Sequence, residues 1–361
     1  MTISQSAHRK PRVVSLGRPA FVGKEYLDEF SKKFNFSVLE AKDRAETKQL
    51  LPLDIEKNGP IDAFVIRMGT PPFEPFDEDL LGALTPECQI ITSASAGFNE
   101  FDVEWMTRSG VYFCNTVDAV AEATADMAIF LTLATLRNTC NAEKSLRNGN
   151  WRGGLAPTRD PSNLTLGIVG MGAIGKVCQL PVPEPVHSLT STQYLAKKAL
   201  AFNMKIKYYN RNQLSPKLEE RYEASYCSTL QELLACSDVV SINCPYNKDT
   251  EGLIGQSEFE AMKDGAYFIN TARGPIVQEE ALKAALEFGK VTRAGLDVFC
   301  NEPNIDPWFL ESDACIVQPH LGGLTDAAFQ RAERECFENI RALFTIGVPN
   351  SPVNDLSSRR K

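Results

Sequence analysis

The chain has 361 residues, of which 43% are hydrophobic and 23% charged, a composition typical of a folded protein with two domains rather than a disordered or fibrous one. Its formal net charge of −8, with no long basic run, argues against a nucleic-acid partner. The sequence contains no uncharged apolar stretch of about 18 residues, so we expect no membrane span.

The ten cysteines are scattered along the chain and include no Cys-x-x-Cys pair. This favours reduced thiols over a disulfide framework and gives no indication of a metal site. Residues 1–12 are basic and contain serine but have no apolar core, so they do not predict a secretory signal. We therefore expect a cytoplasmic protein, with a weak organellar presequence as the alternative left open.

The first part of the chain alternates between strand and helix patterns, which predicts a parallel sheet covered on both faces. The predicted strands cover residues 12–16, 36–40, 61–67, 89–94 and 111–115, and the predicted helices cover 24–34, 45–57 and about 101–109, with a Pro-rich loop at 70–75. Residues 1–117 are therefore expected to form a first α/β domain.

Residues 119–147 predict one unusually long helix that crosses between domains, and residues 149–161, rich in Gly, Pro and Arg, predict a linker and candidate inter-subunit arm. A second alternating series predicts strands at 164–169, 204–209, 238–243, 266–269, 293–298 and 315–317. The amphipathic helix predicted at 326–344 most simply returns to the first domain. We thus expect a discontinuous domain of residues 1–117 plus 325–350, and a second domain of residues 118–324.

A glycine motif follows the first strand of this second series. Gly170, Gly172 and Gly175 have the spacing G-x-G-x-x-G, which suits a tight turn, close approach of a pyrophosphate and close packing of the next helix. Ala173 and Ile174 would begin that helix, whose N-terminus attracts the pyrophosphate. An ordinary glycine-rich loop is the alternative, but the preceding strand favours dinucleotide binding.

The segment after this motif is too long for the unit it predicts. Asn210, at the end of the second strand, lies 35 residues after Gly175, whereas about 20 are expected. Residues 177–193 hold three prolines that cannot continue a helix, and joining Lys176 to Tyr194 restores one of the right length. We interpret 177–193 as an insertion into the first helical turn, a translated intron in preference to a natural surface loop.

The end of the second strand indicates the type of cofactor. The residues there, Asn210, Arg211 and Asn212, include no acid that would bind the 2′-hydroxyl of NAD. A guanidinium at Arg211 would instead suit a 2′-phosphate. We expect NADP(H) to be preferred, with NAD(H) as the alternative cofactor. Arg211 could also be a solvated surface residue with no role in cofactor binding.

Three later segments carry a family resemblance. Residues 270–274 (Asn-Thr-Ala-Arg-Gly), 295–303 and 318–323 resemble the signature segments of the D-isomer-specific 2-hydroxyacid dehydrogenases, especially the fungal glyoxylate/hydroxypyruvate reductase-like members. The resemblance covers residues 85–345 apart from the insertion. It implies an α/β protein of two doubly wound parallel-sheet domains, a Rossmann cofactor domain and a flavodoxin-like substrate domain. It also implies a homodimer that reduces a small 2-keto acid to the D-2-hydroxy acid.

The catalytic residues can also be argued from chemistry. Reducing a 2-keto acid needs a cation for the carboxylate and an acid for the carbonyl oxygen, beside a hydride donor. Arg273 supplies a bidentate fork, and His320 can act as general acid near neutral pH. Glu302 would raise the imidazole pKa and orient the ring. Each residue alone is more often structural, but three at predicted strand ends together favour a site.

The resemblance implies further site residues. Substrate carboxylate is expected on the amides of Ala96 and Gly97. Cofactor contacts are expected from Cys244 and Pro245 on the adenine side, from Thr271, Ala272 and Asp297 on the nicotinamide side, and from Gly323. Cys300 stands where the family usually has Glu or a similar residue, a departure that we expect to be harmless because Glu302 is retained.

Two alternative functions stay open. The family's formate dehydrogenases have Gln at the position of Glu302, so this residue argues against that reaction. The family's dinucleotide-sensing corepressors retain all three catalytic residues, and only turnover of a keto acid separates them from an enzyme. Substrate choice is expected from side chains near residues 67–70 and Trp151.

Overall fold

The computed structural model describes residues 9–67, 69–152, 154–172 and 190–356. The chain divides into two compact units: unit 1 comprises Met1–Val120 with Thr325–Lys361, and unit 2 comprises Ala121–Leu324. Unit 1 is therefore built from both ends of the chain, whereas unit 2 is continuous in sequence.

Unit 1 contains a five-stranded parallel sheet in the order β2-β1-β3-β4-β5. This is the flavodoxin-like order of a doubly wound sheet. Its strands are β1 (Arg12–Leu16), β2 (Asn35–Leu39), β3 (Ala63–Ile66), β4 (Ile90–Ser93) and β5 (Tyr112–Cys114). Buried apolar residues form a cluster on each face of the sheet, as expected for parallel strands covered by helices.

The helices of unit 1 cover both faces of this sheet. They are α1 (Lys24–Ser31), α2 (Arg44–Asn58), α3 (Glu78–Leu81), α4 (Val103–Arg108) and α13 (Asp326–Ile346), the last labelled by its place in the chain, and short 3-10 turns lie at Pro71–Phe73 and Gly82–Leu84. Helix α13 begins where Thr325 accepts from the Ala328 N–H and ends at Gly347, whose φ of 85° suits glycine. Its Phe337 packs edge-on against Phe30, with ring centroids 4.9 Å apart.

A buried carboxylate fixes the loop after β1 to α13. Glu333 is only 5% exposed and accepts the backbone N–H groups of Ala20, Phe21 and Val22 at 3.0, 2.7 and 2.7 Å. Hydrogen bonds to a charged acceptor are stronger than neutral ones. The carboxylate therefore connects the two distant pieces of sequence that build unit 1.

Unit 2 contains a seven-stranded parallel sheet in the order β12-β11-β10-β9-β6-β7-β8. Its strands are β6 (Thr165–Val169), β7 (Lys205–Tyr209), β8 (Ala224–Tyr226), β9 (Val239–Ile242), β10 (Ala266–Asn270), β11 (Val291–Leu296) and β12 (Cys315–Val317). The strand order reverses between β6 and β9, where ligands bind in open α/β sheets. Two doubly wound parallel sheets, as predicted from the sequence, are confirmed.

The prediction of one continuous helix at 119–147 is wrong, because the structure has two helices in this region. Helix α5 (Val117–Arg137) is followed by α6 (Thr139–Arg147), and Asn138 between them has a left-handed φ of 53°. Asparagine tolerates this conformation better than most residues. Within the described residues, α5 alone is long and apolar enough to cross a membrane, but 67% of its apolar window is buried, as is typical of a core helix.

The remaining helices belong to unit 2, and α7 is the one for which the sequence analysis gave residues. They are α7 (Ser191–Leu200), α8 (Pro216–Arg221), α9 (Leu230–Cys236), α10 (Gln256–Ala261), α11 (Glu279–Glu287) and α12 (Pro307–Glu311), with a 3-10 turn at Gly274–Ile276. Helix α7 begins at Ser191 rather than Tyr194, because Thr190 caps it. Residues 191–193 of the predicted insertion are therefore helical, and the bounds of that insertion stay a prediction. Residues 177–189 of the insertion lie outside the described residues.

Candidate active site

The glycine turn after β6 meets the segment after β9 at the point where the strand order reverses. Gly170 has a φ of +94°, and an added Cβ would lie 2.6 Å from the backbone nitrogen of Cys244. Its N–H donates to the Tyr209 carbonyl oxygen at 3.0 Å. Only glycine satisfies both the dihedral angle and the contact. The structure therefore brings together Gly170 and Cys244, two residues predicted to bind the cofactor; the neighbouring Pro245 is exposed.

The backbone of Gly172 is open on its side-chain face. An added Cβ would meet no heavy atom of the described residues within 4 Å. The hydroxyl of Thr190, at the start of α7, lies 3.5 Å from the Gly172 carbonyl oxygen. The turn thus fits the close approach of a pyrophosphate. Ala173, Ile174 and Gly175, also predicted to bind the cofactor, lie outside the described residues.

The residues after β7 divide into a scaffold residue and two exposed ones. The Asn210 side chain donates to the Met171 carbonyl oxygen, and its own carbonyl oxygen accepts from the Tyr226 hydroxyl at 3.2 Å. Arg211 is 78% exposed and its Nη1 lies 3.3 Å from an Asp249 carboxylate oxygen. An ion pair this exposed contributes little to stability, so the Arg211 guanidinium can leave Asp249 and bind another anion. Asn212 is exposed as well.

The loop after β10 holds an unsatisfied polar atom. The Thr271 hydroxyl is buried and has no hydrogen-bond partner among the described residues, whereas the Ala272 N–H donates to the Asn270 side-chain oxygen at 3.0 Å. Buried hydroxyls are normally paired. An unpaired one at the carboxyl edge of the sheet that also carries the glycine turn fits a polar group of a nicotinamide dinucleotide.

Arg273 follows Ala272 in the loop after β10, and this loop packs against the loop after β11. Its carbonyl oxygen accepts from the Asn270 side chain at 3.0 Å, and its guanidinium donates to the Ala272 carbonyl oxygen at 2.7 Å. A Cβ on the next residue, Gly274, would lie 1.9 Å from the Phe299 carbonyl carbon. This glycine allows the two loops to pack, which places the half-buried Arg273 in the electrostatic surroundings of Glu302.

Glu302 and His320 form a hydrogen-bonded pair. His320 Nδ1 lies 2.7 Å from Glu302 Oε2, while Glu302 Oε1 accepts the Phe299 N–H at 2.9 Å. Burial alone would raise the pKa of Glu302, but its hydrogen bonds with His320 and the Phe299 N–H, with the nearby Arg273 charge, hold that pKa below its usual value. The carboxylate is therefore charged at neutral pH and orients the imidazole.

Asp297 positions the loop that carries His320. The carboxylate is 1% exposed and accepts the backbone N–H groups of Leu321 and Gly322, each at 2.7 Å. The His320 N–H donates to the Asp297 carbonyl oxygen at 2.8 Å, which supports the left-handed φ of 57° at His320. Burial raises the pKa of Asp297, and the two N–H groups counteract it in part.

This positioning role was missed from the sequence, where Asp297 was predicted to contact the cofactor. The sequence signal was an acid at the end of a buried strand, but the partners lie 24 and 25 residues later. Gly322 is constrained, because an added Cβ would lie 2.9 Å from the Asp297 carboxylate. Gly323 lies beside it, partly buried.

Cys300 does not take the place of a catalytic carboxylate. Burial, with the neighbouring Glu279, raises the pKa of its thiol to about 12. Its N–H donates to Glu279 at 2.9 Å and its thiol lies 3.6 Å from the Val277 carbonyl oxygen. The thiol is therefore neutral at ordinary pH and of low reactivity.

The predicted carboxylate-binding loop belongs to unit 1, after β4. The Ala96 carbonyl oxygen accepts from the Asn115 side chain at 2.6 Å, and the Gly97 carbonyl oxygen accepts from the Ser95 hydroxyl at 2.9 Å. Neither the Ala96 nor the Gly97 N–H has an acceptor within the described part of the chain. Fixed carbonyls and unpaired N–H groups are the arrangement that binds an anion.

Comparison with known proteins assigns this architecture to a family. Residues 129–180 and 192–322 match the model described as D-isomer specific 2-hydroxyacid dehydrogenase, NAD binding domain. The unmatched residues 181–191 fall within the predicted insertion.

Three similar proteins cover most of the chain. Dehydrogenase efuE of Hormonema carpetanum is 53% identical over 96% of this chain and 83% of its own. The 4-methyl-2-oxopentanoate reductase A of Aspergillus oryzae is 40% identical over 76% of this chain and 77% of its own. The crystal structure of a glyoxylate reductase from Paecilomyes thermophila superposes with a TM-score of 0.83, at 32% identity, over 96% of this chain and 98% of that one.

Proposed function

The chain belongs to the D-isomer-specific 2-hydroxyacid dehydrogenases, and on this premise we propose that it reduces a small 2-keto acid of the glyoxylate or hydroxypyruvate type to the D-2-hydroxy acid. The observation that carries the proposal is the 2.7 Å contact between His320 and Glu302, in a unit that also places Arg273 and the glycine turn at the carboxyl edge of its sheet. A proton donor, a cation and a dinucleotide turn at one edge are what keto-acid reduction requires.

Three side chains have separate proposed roles in the reduction of the substrate. Arg273 binds and orients the carboxylate and carbonyl oxygens through its fork. The His320 Nδ1–H donates a hydrogen bond to Glu302, and the Nε2–H of the doubly protonated ring supplies the proton that passes to the carbonyl oxygen. Glu302, charged at neutral pH, stabilises the imidazolium before that transfer. The reduced nicotinamide, when bound, supplies the hydride.

The unpaired N–H groups of Ala96 and Gly97 are proposed as further ligands of the substrate carboxylate. Their carbonyl oxygens are already fixed by Asn115 and Ser95, so the loop needs no rearrangement to present its amides. Preorganised N–H donors bind an anion at low entropic cost.

The family model identifies a nicotinamide dinucleotide as the cofactor, and we propose that NADP(H) is preferred over NAD(H). The support is the exposed guanidinium of Arg211 at the end of β7, where residues 210–212 include no acid that would bind a 2′-hydroxyl. Its pair with Asp249 is exposed on both sides and is easily exchanged for a phosphate.

A homodimer in the cytoplasm is proposed for the assembled enzyme. Exposed apolar side chains lie on unit 2 at Phe130, Leu146, Trp151 and Leu155, with Trp151 79% exposed. Apolar surface of this kind is typical of an interface between subunits. The nine cysteines that the structure describes are free thiols, which agrees with a reducing compartment. Light scattering on the purified chain measures the mass directly.

Turnover tests the proposed function. We would assay glyoxylate, hydroxypyruvate and 4-methyl-2-oxopentanoate with both NADPH and NADH, using the His320→Ala variant as the control for background oxidation. Glyoxylate or hydroxypyruvate should turn over with the unaltered chain alone. Tight cofactor binding without turnover of any of these acids would instead indicate a dinucleotide-sensing binding protein.

A further inference from the structure

Helix α7 starts beside the glycine turn although the two are far apart in sequence. The sequence order places residues 173–176 directly after Gly172. In the structure the Thr190 hydroxyl lies 3.5 Å from the Gly172 carbonyl oxygen, and the helix begins at Ser191. Residues 190–193 therefore occupy the position next to the turn that residues 173–176 were expected to take.

The first turn of this ten-residue helix is fully formed. The Thr190 side chain accepts from the Gln193 N–H, and the Gln193 side chain accepts from the Thr190 N–H, a complete capping box. The N–H groups of Ser191 and Thr192 have no acceptor within the described part of the chain. These free N–H groups and the positive end of the helix dipole attract an anion.

A second observation at the same turn points to a ligand. Gln193 is 1% exposed, and its side-chain oxygen lies 3.3 Å from the Thr190 N–H and 3.5 Å from the Tyr222 hydroxyl. The nitrogen of the same amide is buried without a partner among the described residues. Because the oxygen contacts the cap nitrogen, the unpaired donor also lies at the helix N-terminus. Buried amide donors are nearly always paired.

From these contacts we infer that residues 190–193 form this chain's own pyrophosphate-binding turn. The N–H groups of Ser191 and Thr192 bind the phosphate oxygens, and Gln193 Nε2 supplies an additional donor. The inference rests on the proposed function, because it assumes a dinucleotide. It predicts that cofactor binding does not depend on Gly175 and that residues 190–193 belong to the cofactor-binding unit rather than to an insertion.

Two different deletions of the same length follow from the two interpretations. Removing residues 177–193 joins Lys176 to Tyr194, and removing residues 173–189 joins Gly172 to Thr190; each takes out 17 residues. Only the second retains the hydroxyl-rich turn and its capping box. If that turn binds the pyrophosphate, the 173–189 deletion should bind cofactor within about threefold of the unaltered chain.

The decisive variant is Gln193→Glu in the full-length chain. Glutamate is a normal capping-box residue, so the helix persists, while its negative charge faces the phosphate and removes the free donor. We expect the NADPH dissociation constant, measured by calorimetry, to rise at least tenfold with little change in Tm. Gln330→Glu, at an exposed glutamine of α13, is the matched control and should leave both quantities unchanged.

Ser191→Pro covers the case in which a buried glutamate disturbs folding. Proline is tolerated at the first helical position and removes only an N–H, and Thr190, with φ −69° and ψ 160°, already has the conformation that a residue before proline adopts. We expect a rise of about fivefold or more in the dissociation constants for NADPH and NADH alike.

The outcomes separate this inference from the proposed function. If the unaltered chain binds neither cofactor, both fail. If it binds, but Gln193→Glu and Ser191→Pro bind equally well while Gly175→Val abolishes binding, the inference fails and the proposed function stands. Loss of affinity in the Gln193 and Ser191 variants, with Gly175→Val unaffected, supports it.

Discussion

Asp297→Asn separates a positioning role from direct contact with the cofactor. In the structure both carboxylate oxygens accept backbone N–H groups, from Leu321 and Gly322, at 2.7 Å. Asparagine keeps one acceptor but turns an NH₂ group toward the other N–H. One hydrogen bond to a charged group, worth about 1.5–3 kcal/mol, is lost, and a buried donor is left unpaired at a similar cost.

The net magnitude is smaller than the sum of these losses. Burial raises the pKa of Asp297, so removing the charge recovers part of the desolvation cost. We expect the free energy of unfolding to fall by about 2 kcal/mol. Because His320 has a left-handed φ of 57° in a loop held by Asp297, the loop should relax and kcat should fall about tenfold, equivalent to about 1.4 kcal/mol.

The assay combines denaturant unfolding, steady-state kinetics and cofactor titration. Asp313→Asn is the control, because the Asp313 side chain is 70% exposed and pairs with the surface residue Lys144, so its loss should matter little. A variant that keeps its stability and kcat but binds NADPH at least tenfold more weakly would refute the positioning role and restore the cofactor contact first predicted for Asp297.

Four further substitutions test the remaining assignments. Arg273→Lys keeps the charge but loses the fork, so KM for the keto acid should rise about tenfold with cofactor affinity nearly constant; an unchanged KM would remove Arg273 from carboxylate binding. His320→Ala should lower kcat about a hundredfold or more, and a mild effect in the turnover assay would favour the binding-protein alternative. Arg211→Ala should weaken NADPH binding and spare NADH, whereas equal losses in fluorescence titrations would exclude Arg211 from cofactor choice. Burial, with repulsion from Asp118, raises the pKa of Glu335 to about 7. The folded chain therefore holds this proton more tightly than the unfolded chain, and the free energy of unfolding falls as pH rises from about 4.5 to about 7. Glu335→Gln should remove up to about 3 kcal/mol of that loss, measured by urea unfolding at pH 5 and 8, and an identical pH dependence in the variant would contradict the raised pKa.

The regular elements with strong patterns were predicted well. Strands such as Arg12–Leu16 and Cys315–Val317 match their predicted bounds because apolar runs between turn residues leave little choice. Strand β8 was missed, since Ala224–Tyr226 is only three residues long and has no periodicity to detect. The break at Asn138 was missed because helix-forming residues recur further along the chain, at 142–144, and the weak helix formers at 139–141 were given too little weight.

The candidate site was predictable where one residue carries the signal. Arg273, Glu302 and His320 follow strands in sequence, and parallel strands bring their carboxyl ends to one edge. The partners of Asp297 could not be predicted, because they depend on how a distant loop folds back. The start of α7 could have been found, since Thr190 and Gln193 form a capping-box pattern in the sequence. The prediction instead joined Lys176 to Tyr194 to restore a helix of the expected length.

The Glu333 carboxylate has a consequence for how the chain folds during synthesis. It binds N–H groups 311 to 313 residues earlier in the chain, so the loop after β1 cannot settle until α13 has left the ribosome. At about 5–20 residues per second, that delay is roughly 15 to 60 seconds. Unit 2 is continuous in sequence, so its synthesis ends before that of unit 1 and it can fold first. The N-terminal strands of unit 1 stay uncovered until α13 has been synthesised. Chaperones that hold nascent apolar strands should therefore associate with the N-terminal segment of this protein for longer than with its middle.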